Sequence, residues 1–132
     1  MGAEREELIR DLFERWNHGD RDIDPATVAP DAEVHSAMTR ATYRGYDGIK
    51  DWMAEIDEQF ESWQISVEKI SDLADDRAVA LGSVRFRGRA SGVEFEQPIG
   101  WIFRFVGRRV AEMRVFPDHA SARSAAADVS QS

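Results

Sequence analysis

The sequence predicts an α+β fold in which helices cover one face of an antiparallel sheet. Three observations carry this. Apolar residues recur at helical spacing through the first half of the chain, they alternate with period two from about residue 65 to 116, and the alternating segments are joined by short Asp- or Gly-containing turns. A run of helices followed by a run of strands indicates segregated elements, since a parallel sheet would need helices and strands to alternate. With 132 residues and 42% hydrophobic residues, one domain with a real core is expected.

The first helix is predicted over Glu4 to Asn17. Leu8, Leu12 and Trp16 recur at spacing four beside Ile9 and Phe13, and Glu4, Glu6 and Glu7 complement the positive end of the helix dipole. Gly19, within His18-Gly19-Asp20, supplies a left-handed cap. Asp24-Pro25 then reads as an N-cap and first helical residue, opening a short helix to Ala29 that ends before Pro30. Glu33 to Met38 reads as a short strand with Val34, Ser36 and Met38 on one face and Glu33, His35 and Ala37 on the other. Thr39 to Gly45 is expected to be a loop.

A second long helix is predicted from about Asp47 to Ser62, where Ile49, Trp52, Met53, Ile56, Phe60 and Trp63 recur every three or four residues. Alternation starts at Ile65, and Asp75-Asp76 forms a turn. In the next strand Val79, Leu81, Ser83, Arg85 and Arg87 face one way, while Ala78, Ala80, Gly82, Val84 and Phe86 face the other. Ser91-Gly92 turns the chain into a strand from Val93 to Val106, and Gly107 turns it into a last strand from Arg109 to Phe116. Pro98 lacks a ladder donor, so a bulge or an edge is expected there. The small, polar stretch after Pro117 is expected to form at most a helical turn, giving a domain over residues 1–122 and a disordered tail over 123–132.

Charge and composition exclude several classes. The 17 Lys+Arg against 25 Asp+Glu give a net charge of −8, which disfavours non-specific binding to nucleic acid or to anionic membranes. Arg85-Phe86-Arg87-Gly88-Arg89 resembles a nucleic-acid stripe, but it alternates on a strand inside an acidic chain. The acidic excess lies mainly on helix faces and the arginines gather between Arg77 and Arg114, so the positive groups are expected to serve the sheet face or a pocket. The chain has no cysteine, which removes disulfides, thiol catalysis and Cys-based metal sites. No metal is expected, because His18, His35 and His119 are far apart in sequence. No phosphate-binding glycine loop is present, and no cofactor is expected. Without an apolar leader or a run of about 18 apolar residues, the chain reads as soluble and cytoplasmic.

Four stretches together resemble the SnoaL-like branch of the nuclear transport factor two-like superfamily. They are Trp16-Asn17-His18-Gly19-Asp20 with Ala29-Pro30-Asp31-Ala32-Glu33-Val34; Tyr43-Arg44-Gly45-Tyr46-Asp47-Gly48-Ile49; Gly92-Val93-Glu94-Phe95 leading to Trp101-Ile102-Phe103-Arg104-Phe105; and Val115-Phe116-Pro117-Asp118 before Ala120. The resemblance spans about residues 5–122. It implies a cone: a curved antiparallel sheet wrapped around three N-terminal helices (the cystatin-like arrangement), with a pocket at the open end. It also implies a small hydrophobic ligand and a homodimer formed through the outer face of the sheet. Members include polyketide cyclases, ketosteroid isomerases, dehydratases and epoxide hydrolases. In the isomerases a base carboxylate lies on the first short strand and a tyrosine on the first helix. Here Ser36 stands at the base position and Leu12 at about the tyrosine position.

Several residues are candidates for chemistry. His35 is a general acid or base beside the pocket strand, or else a partly buried structural histidine, since strict alternation turns it away from Ser36. Asp118 is an orienter of His119 or an alternative base, or else the N-cap of the Ala-rich turn. Arg85 or Arg114 is an oxyanion stabiliser, with a cluster such as Arg85 and Glu112 anchoring an anionic or carbonyl-bearing ligand; the other reading is a solvated or dimer-facing sheet surface. Tyr46, Trp52, Met53, Gln97 and Trp101 are candidate ligand-binding residues, with core packing or surface placement as the alternative. Two functions follow: cofactor-free acid–base catalysis on a hydrophobic carbonyl compound, or a non-enzymatic ligand-binding or dimeric interaction module.

Overall fold

Asn17 closes the first helix, α1 (Gly2–Asn17), which buries Ile9, Phe13 and Trp16 along one stripe. In the computed structural model, which describes residues 2–37 and 39–131, the helix ends as its sequence dictates. Gly19 takes φ +83°, and Gly19 N and Asp20 N donate to the carbonyls of Trp16 and Arg15 at 3.0 and 2.9 Å. These are the paired bonds of a left-handed helix stop.

The short helix expected from Asp24 is a single turn. The Asp24 side chain accepts from Ala26 N at 2.9 Å, but the chain is extended from Val28 onward. Pro30 requires an extended residue before it, and Val28 already pairs with Val110. The resulting strand β1 (Val28–Ser36) starts earlier than expected, and Met38 lies outside the described residues. The expected loop contains a second strand, β2 (Ala41–Arg44), antiparallel to β1 with His35 opposite Thr42.

Helix α2 (Gly45–Gln59) buries Ile49, Trp52 and Met53. It stops three residues short of the expected end at Ser62, because Phe60 is extended and its ring packs on Phe86 at 4.6 Å. Four strands follow: β3 (Phe60–Leu73), β4 (Arg77–Gly88), β5 (Glu94–Val106) and β6 (Arg109–Phe116). They form a meander, and β1 joins β6 in parallel to give the order β2-β1-β6-β5-β4-β3. Three helices and a six-stranded, mostly antiparallel sheet make an α+β fold. Pro98 pairs in register with Ser83 where β6, whose last residue Phe116 pairs with Gly100, no longer flanks β5; the proline therefore has a strand on one side only.

Curvature comes from β3. Its register slips between Val67 and Lys69, opposite Gly82, and a Cβ on Gly82 would stand 2.1 Å from the Ser66 carbonyl oxygen. Only glycine permits that approach. The inner face of the bent sheet carries Ala78, Ala80, Val84, Phe86, Ile99, Trp101 and Phe103 against α1 and α2.

The tail is a helix beyond the expected single turn. Helix α3 (His119–Gln131) seats Ala122 and Ala126 on Val79, Leu81 and Ile102 of the outer face. The third helix is thus C-terminal and lies on the opposite side of the sheet from α1 and α2. It covers part of the surface that the resemblance assigns to pairing between copies.

Candidate functional site: an aromatic cavity inside the sheet

A cavity of about 290 Å³ lies between α1, α2 and the inner face. All four tryptophans of the chain, Trp16, Trp52, Trp63 and Trp101, line it. Helical spacing brings Trp16 and Trp52 inward from two helices, and their ring centroids are 5.9 Å apart. Trp63 enters from β3, with its indole N–H donating to Asp57 at 2.8 Å and the Arg21 guanidinium over its ring at 4.4 Å. Arg21 also pairs with Asp57 at 3.1 Å. The polar edge of Trp63 is therefore satisfied outside the cavity while its apolar surface stays within. Phe60, Phe86 and Phe95 form a second wall, with Phe86 and Phe95 stacked across strands at 5.2 Å. Phe95 is 44% exposed, an unusual exposure for a large ring at a pocket wall.

Few polar groups interrupt this surface. Ser36 is the buried polar residue of the core, and its Oγ accepts from Thr39 N at 3.3 Å. Gln97 donates from Nε2 to the Pro117 carbonyl at 3.3 Å. Glu55 is the ionisable side chain among the lining residues, and it receives the Tyr43 hydroxyl at 2.6 Å. That hydrogen bond to a carboxylate, with some burial, raises the Tyr43 phenol above its ordinary value. An apolar cavity with a few fixed polar groups is the usual form of a small-molecule site. A wider depression of about 700 Å³ beside Asp31, Arg108 and Arg109 is open and mixed in charge, so it would bury little of a ligand.

The structure separates the sequence-predicted residues into three groups. Trp52, Gln97 and Trp101 line the cavity. Met53 and Tyr46 do not: Met53 fills the core beneath it, and the Tyr46 hydroxyl donates to the Val28 carbonyl at 2.8 Å. His35, Arg85, Arg114 and Asp118 do not converge on the cavity. Alternation turns His35 outward with Glu33, while Val34 and Ser36 face in. Arg85 pairs with Glu96 at 3.7 Å and Arg114 with Glu112 at 3.4 Å. The expected Arg85–Glu112 cluster is absent because β5 lies between their strands. Asp118 accepts from Ser121 N at 2.7 Å as the cap of α3, which lowers its carboxyl below the ordinary value. His119 instead bonds the Gly82 carbonyl at 2.6 Å, so the two neighbours diverge.

Sequence reasoning missed Glu55 and the three phenylalanines as a wall. Phe86 and Phe95 alternate inward on strands joined by the Ser91-Gly92 turn, a signal that marks them as cross-strand partners.

The model of the SnoaL-like domain family matches residues 9–113. The chain belongs to the SnoaL-like family. Solved structures place this SnoaL-like chain in a wider fold group. It is similar to a putative SnoaL-like polyketide cyclase from Jannaschia sp. CCS1 (21% identity, TM-score 0.78, covering 95% of this chain and 92% of that one). It is also similar to a protein with a ketosteroid isomerase-like fold from Catenulispora acidiphila, solved with trimethylamine (16% identity, TM-score 0.77, 92% of each chain). A third, TerC co-crystallised with polyporic acid, has 16% identity and TM-score 0.78 over 98% of this SnoaL-like chain and 99% of that one. At these identities the likeness shows the fold. No curated protein sequence matches the chain.

Proposed function

We propose that this protein binds a small, flat, largely apolar molecule in the tryptophan-lined cavity. The observation that carries the reading is the convergence of Trp16, Trp52, Trp63 and Trp101 on one space of about 290 Å³. Four indoles offer stacking surfaces to a ring system, and Ser36 and Gln97 offer hydrogen bonds to a carbonyl or hydroxyl on it. The volume is at the lower end of the roughly 300–1,000 Å³ of small-molecule sites, which favours a compact ring system over an extended one. That the TerC structure holds polyporic acid supports the ligand class.

Cofactor-free acid–base chemistry is a second reading, favoured by one observation. Glu55 stands at the cavity as a carboxylate, and Tyr43, behind it, donates its hydroxyl to that carboxylate at 2.6 Å. The carboxylate would take a proton from a carbon beside a ligand carbonyl.

Because every tryptophan lines the cavity, intrinsic fluorescence tests binding directly. Titration with a panel of aromatic ketones and quinones is expected to give saturable quenching for at least one member. Val84→Trp, which fills the cavity from β4, is expected to abolish that saturation while the melting transition persists. Linear, unsaturable quenching by every compound, or equal saturation in the filled variant, overturns the proposal.

A further inference from the structure

The outer face of β1 and β6 carries a second constellation, unconnected with the cavity. Glu33 and His35 stand two residues apart on β1 and so share its outer side. The parallel pairing sets Glu112 of β6 in register with Glu33. His35 Nε2 lies 3.3 Å from Glu33 Oε1 and 3.2 Å from Glu112 Oε2, and one ligand atom from each residue falls within 4.8 Å of the others. Nε2 itself is closed off from solvent and takes no hydrogen bond, in spite of two carboxylate oxygens so near.

We propose that Glu33, His35 and Glu112 bind a zinc-type divalent ion through one carboxylate oxygen from each glutamate and the imidazole Nε2. The spacings fit. Ligands about 2.0–2.1 Å from a tetrahedral ion are about 3.3 Å from each other. In that arrangement the oxygens stand about 35° off the axis of the nitrogen lone pair. That offset sets a nitrogen close to both oxygens and aligned with neither, as His35 Nε2 stands here. The surroundings orient the three ligands. His35 Nδ1 lies 3.0 Å from Thr42 Oγ1, a bond that, with Nδ1 carrying the proton, leaves the Nε2 lone pair facing the carboxylates. Each glutamate gives its other oxygen to an arginine: Glu33 Oε2 to Arg44 Nε at 2.9 Å and Glu112 Oε1 to Arg114 Nε at 3.4 Å. Carboxylates that ligate through one oxygen are commonly held in this way by the second. The two arginines balance the two carboxylates, so in the tautomer with Nδ1 protonated an Nε2 lone pair faces anionic oxygens, a conflict that a cation between them removes. An imidazole in the set selects zinc-like transition ions over magnesium or calcium, which prefer oxygen alone. Three protein ligands leave a fourth position for water. A sequence search for paired histidines overlooks this set because two of its members are glutamates on strands that meet only through the β1–β6 pairing.

The test uses the full chain, freed of metal by chelation and dialysis, titrated with zinc chloride in a calorimeter. One saturable site per chain is expected. His35→Gln and Glu112→Gln are each expected to weaken it at least about tenfold, within the range that loss of metal-site residues produces. His18→Gln, at an exposed position just past the end of α1, is expected to leave it unchanged. Nitrogen NMR of the imidazole rings identifies the occupant, with zinc expected to move the His35 Nε2 resonance while the ring keeps Nδ1 protonated. No saturable heat at millimolar zinc overturns the proposal. So does undiminished binding in His35→Gln, or a His35 ring doubly protonated at neutral pH and unmoved by zinc, which would make a proton the occupant.

Discussion

Replacing Asn17 by Ala tests how the aromatic wall is held. Asn17 ends α1, yet its amide reaches an open sheet edge: Nδ2 donates to the Ile65 carbonyl at 2.9 Å, and Ile65 N donates to Oδ1 at 2.7 Å. β3 is the edge strand, so these bonds replace a missing neighbour strand at one residue. The neighbouring side chains Trp16 and Ile65 both line the cavity. Truncation leaves a backbone N–H and a carbonyl of buried Ile65 unpaired, at about 1–3 kcal/mol each. Water can reach a sheet edge, so the lower part of that range applies and the two sum to about 2–3 kcal/mol. Alanine is the better helix former by about 0.5 kcal/mol, which leaves a net loss of about 2 kcal/mol. At about 2.1 cal/mol/K per residue, the unfolding entropy of a 132-residue chain is about 0.28 kcal/mol/K, so the expected fall in Tm is about 7 °C. Urea unfolding and a thermal melt, with Asp11→Asn on the exposed side of α1 as the control, measure both quantities. A change within about 0.5 kcal/mol, the scale of ordinary surface substitutions, refutes the clamp.

Two further outcomes follow from the same structure. Gly82→Ala sets a Cβ 2.1 Å from the Ser66 carbonyl oxygen at the bend of β3, so it is expected to cost at least about 3 kcal/mol or to prevent folding, read by urea unfolding or soluble yield. A melt within 2 °C or so of the wild type would show that the bend relaxes freely. Asp57 gives the pH dependence. Burial works to raise its carboxyl, but hydrogen bonds from Arg21 and Trp63 and the charges of Arg21 and Arg89 outweigh it, leaving the group below its ordinary 3.8. Between those two values the unfolded chain binds more protons, so the contribution is complete above the ordinary value and is lost as pH falls through the folded one. Asp57→Asn is therefore expected to lower the urea midpoint at neutral pH and to flatten its decline in acid; an unchanged acid limb would show that Asp57 does not couple to folding.

Much of the fold was legible because burial imposes a period. α1 and α2 each bury a stripe, and β4 to β6 alternate so regularly that the inward set Val84, Phe86, Ile99 and Trp101 follows from the sequence. The same alternation turned His35 away from Ser36. What escaped lacks a period of its own. β2 is four residues long and exists through its pairing with β1. α3 is Ala-rich and weakly amphipathic, and the apolar groove over Val79, Leu81 and Ile102 gives Ala122 and Ala126 a surface to cover. The early end of α2 depends on Phe60 finding Phe86 across the sheet.

The cavity was partly legible and the outer cluster was not. Four tryptophans in so short a chain announced an aromatic interior, but helix and strand periods say only that each faces inward. Their convergence on one cavity depends on how α1, α2 and the sheet meet, which joins residues distant in the chain. Glu55 entered the site because Tyr43, on a strand the sequence did not reveal, holds it there. The meeting of Glu33, His35 and Glu112 depends on a parallel pairing between residues nearly eighty positions apart, about which neither segment carries information alone. Local periodicity therefore determined which elements form and which way each side chain faces, since both follow from burying apolar groups next to one another in sequence. The tertiary structure alone decided which faces meet, because strand register and sheet curvature arise from contacts between residues distant in the chain.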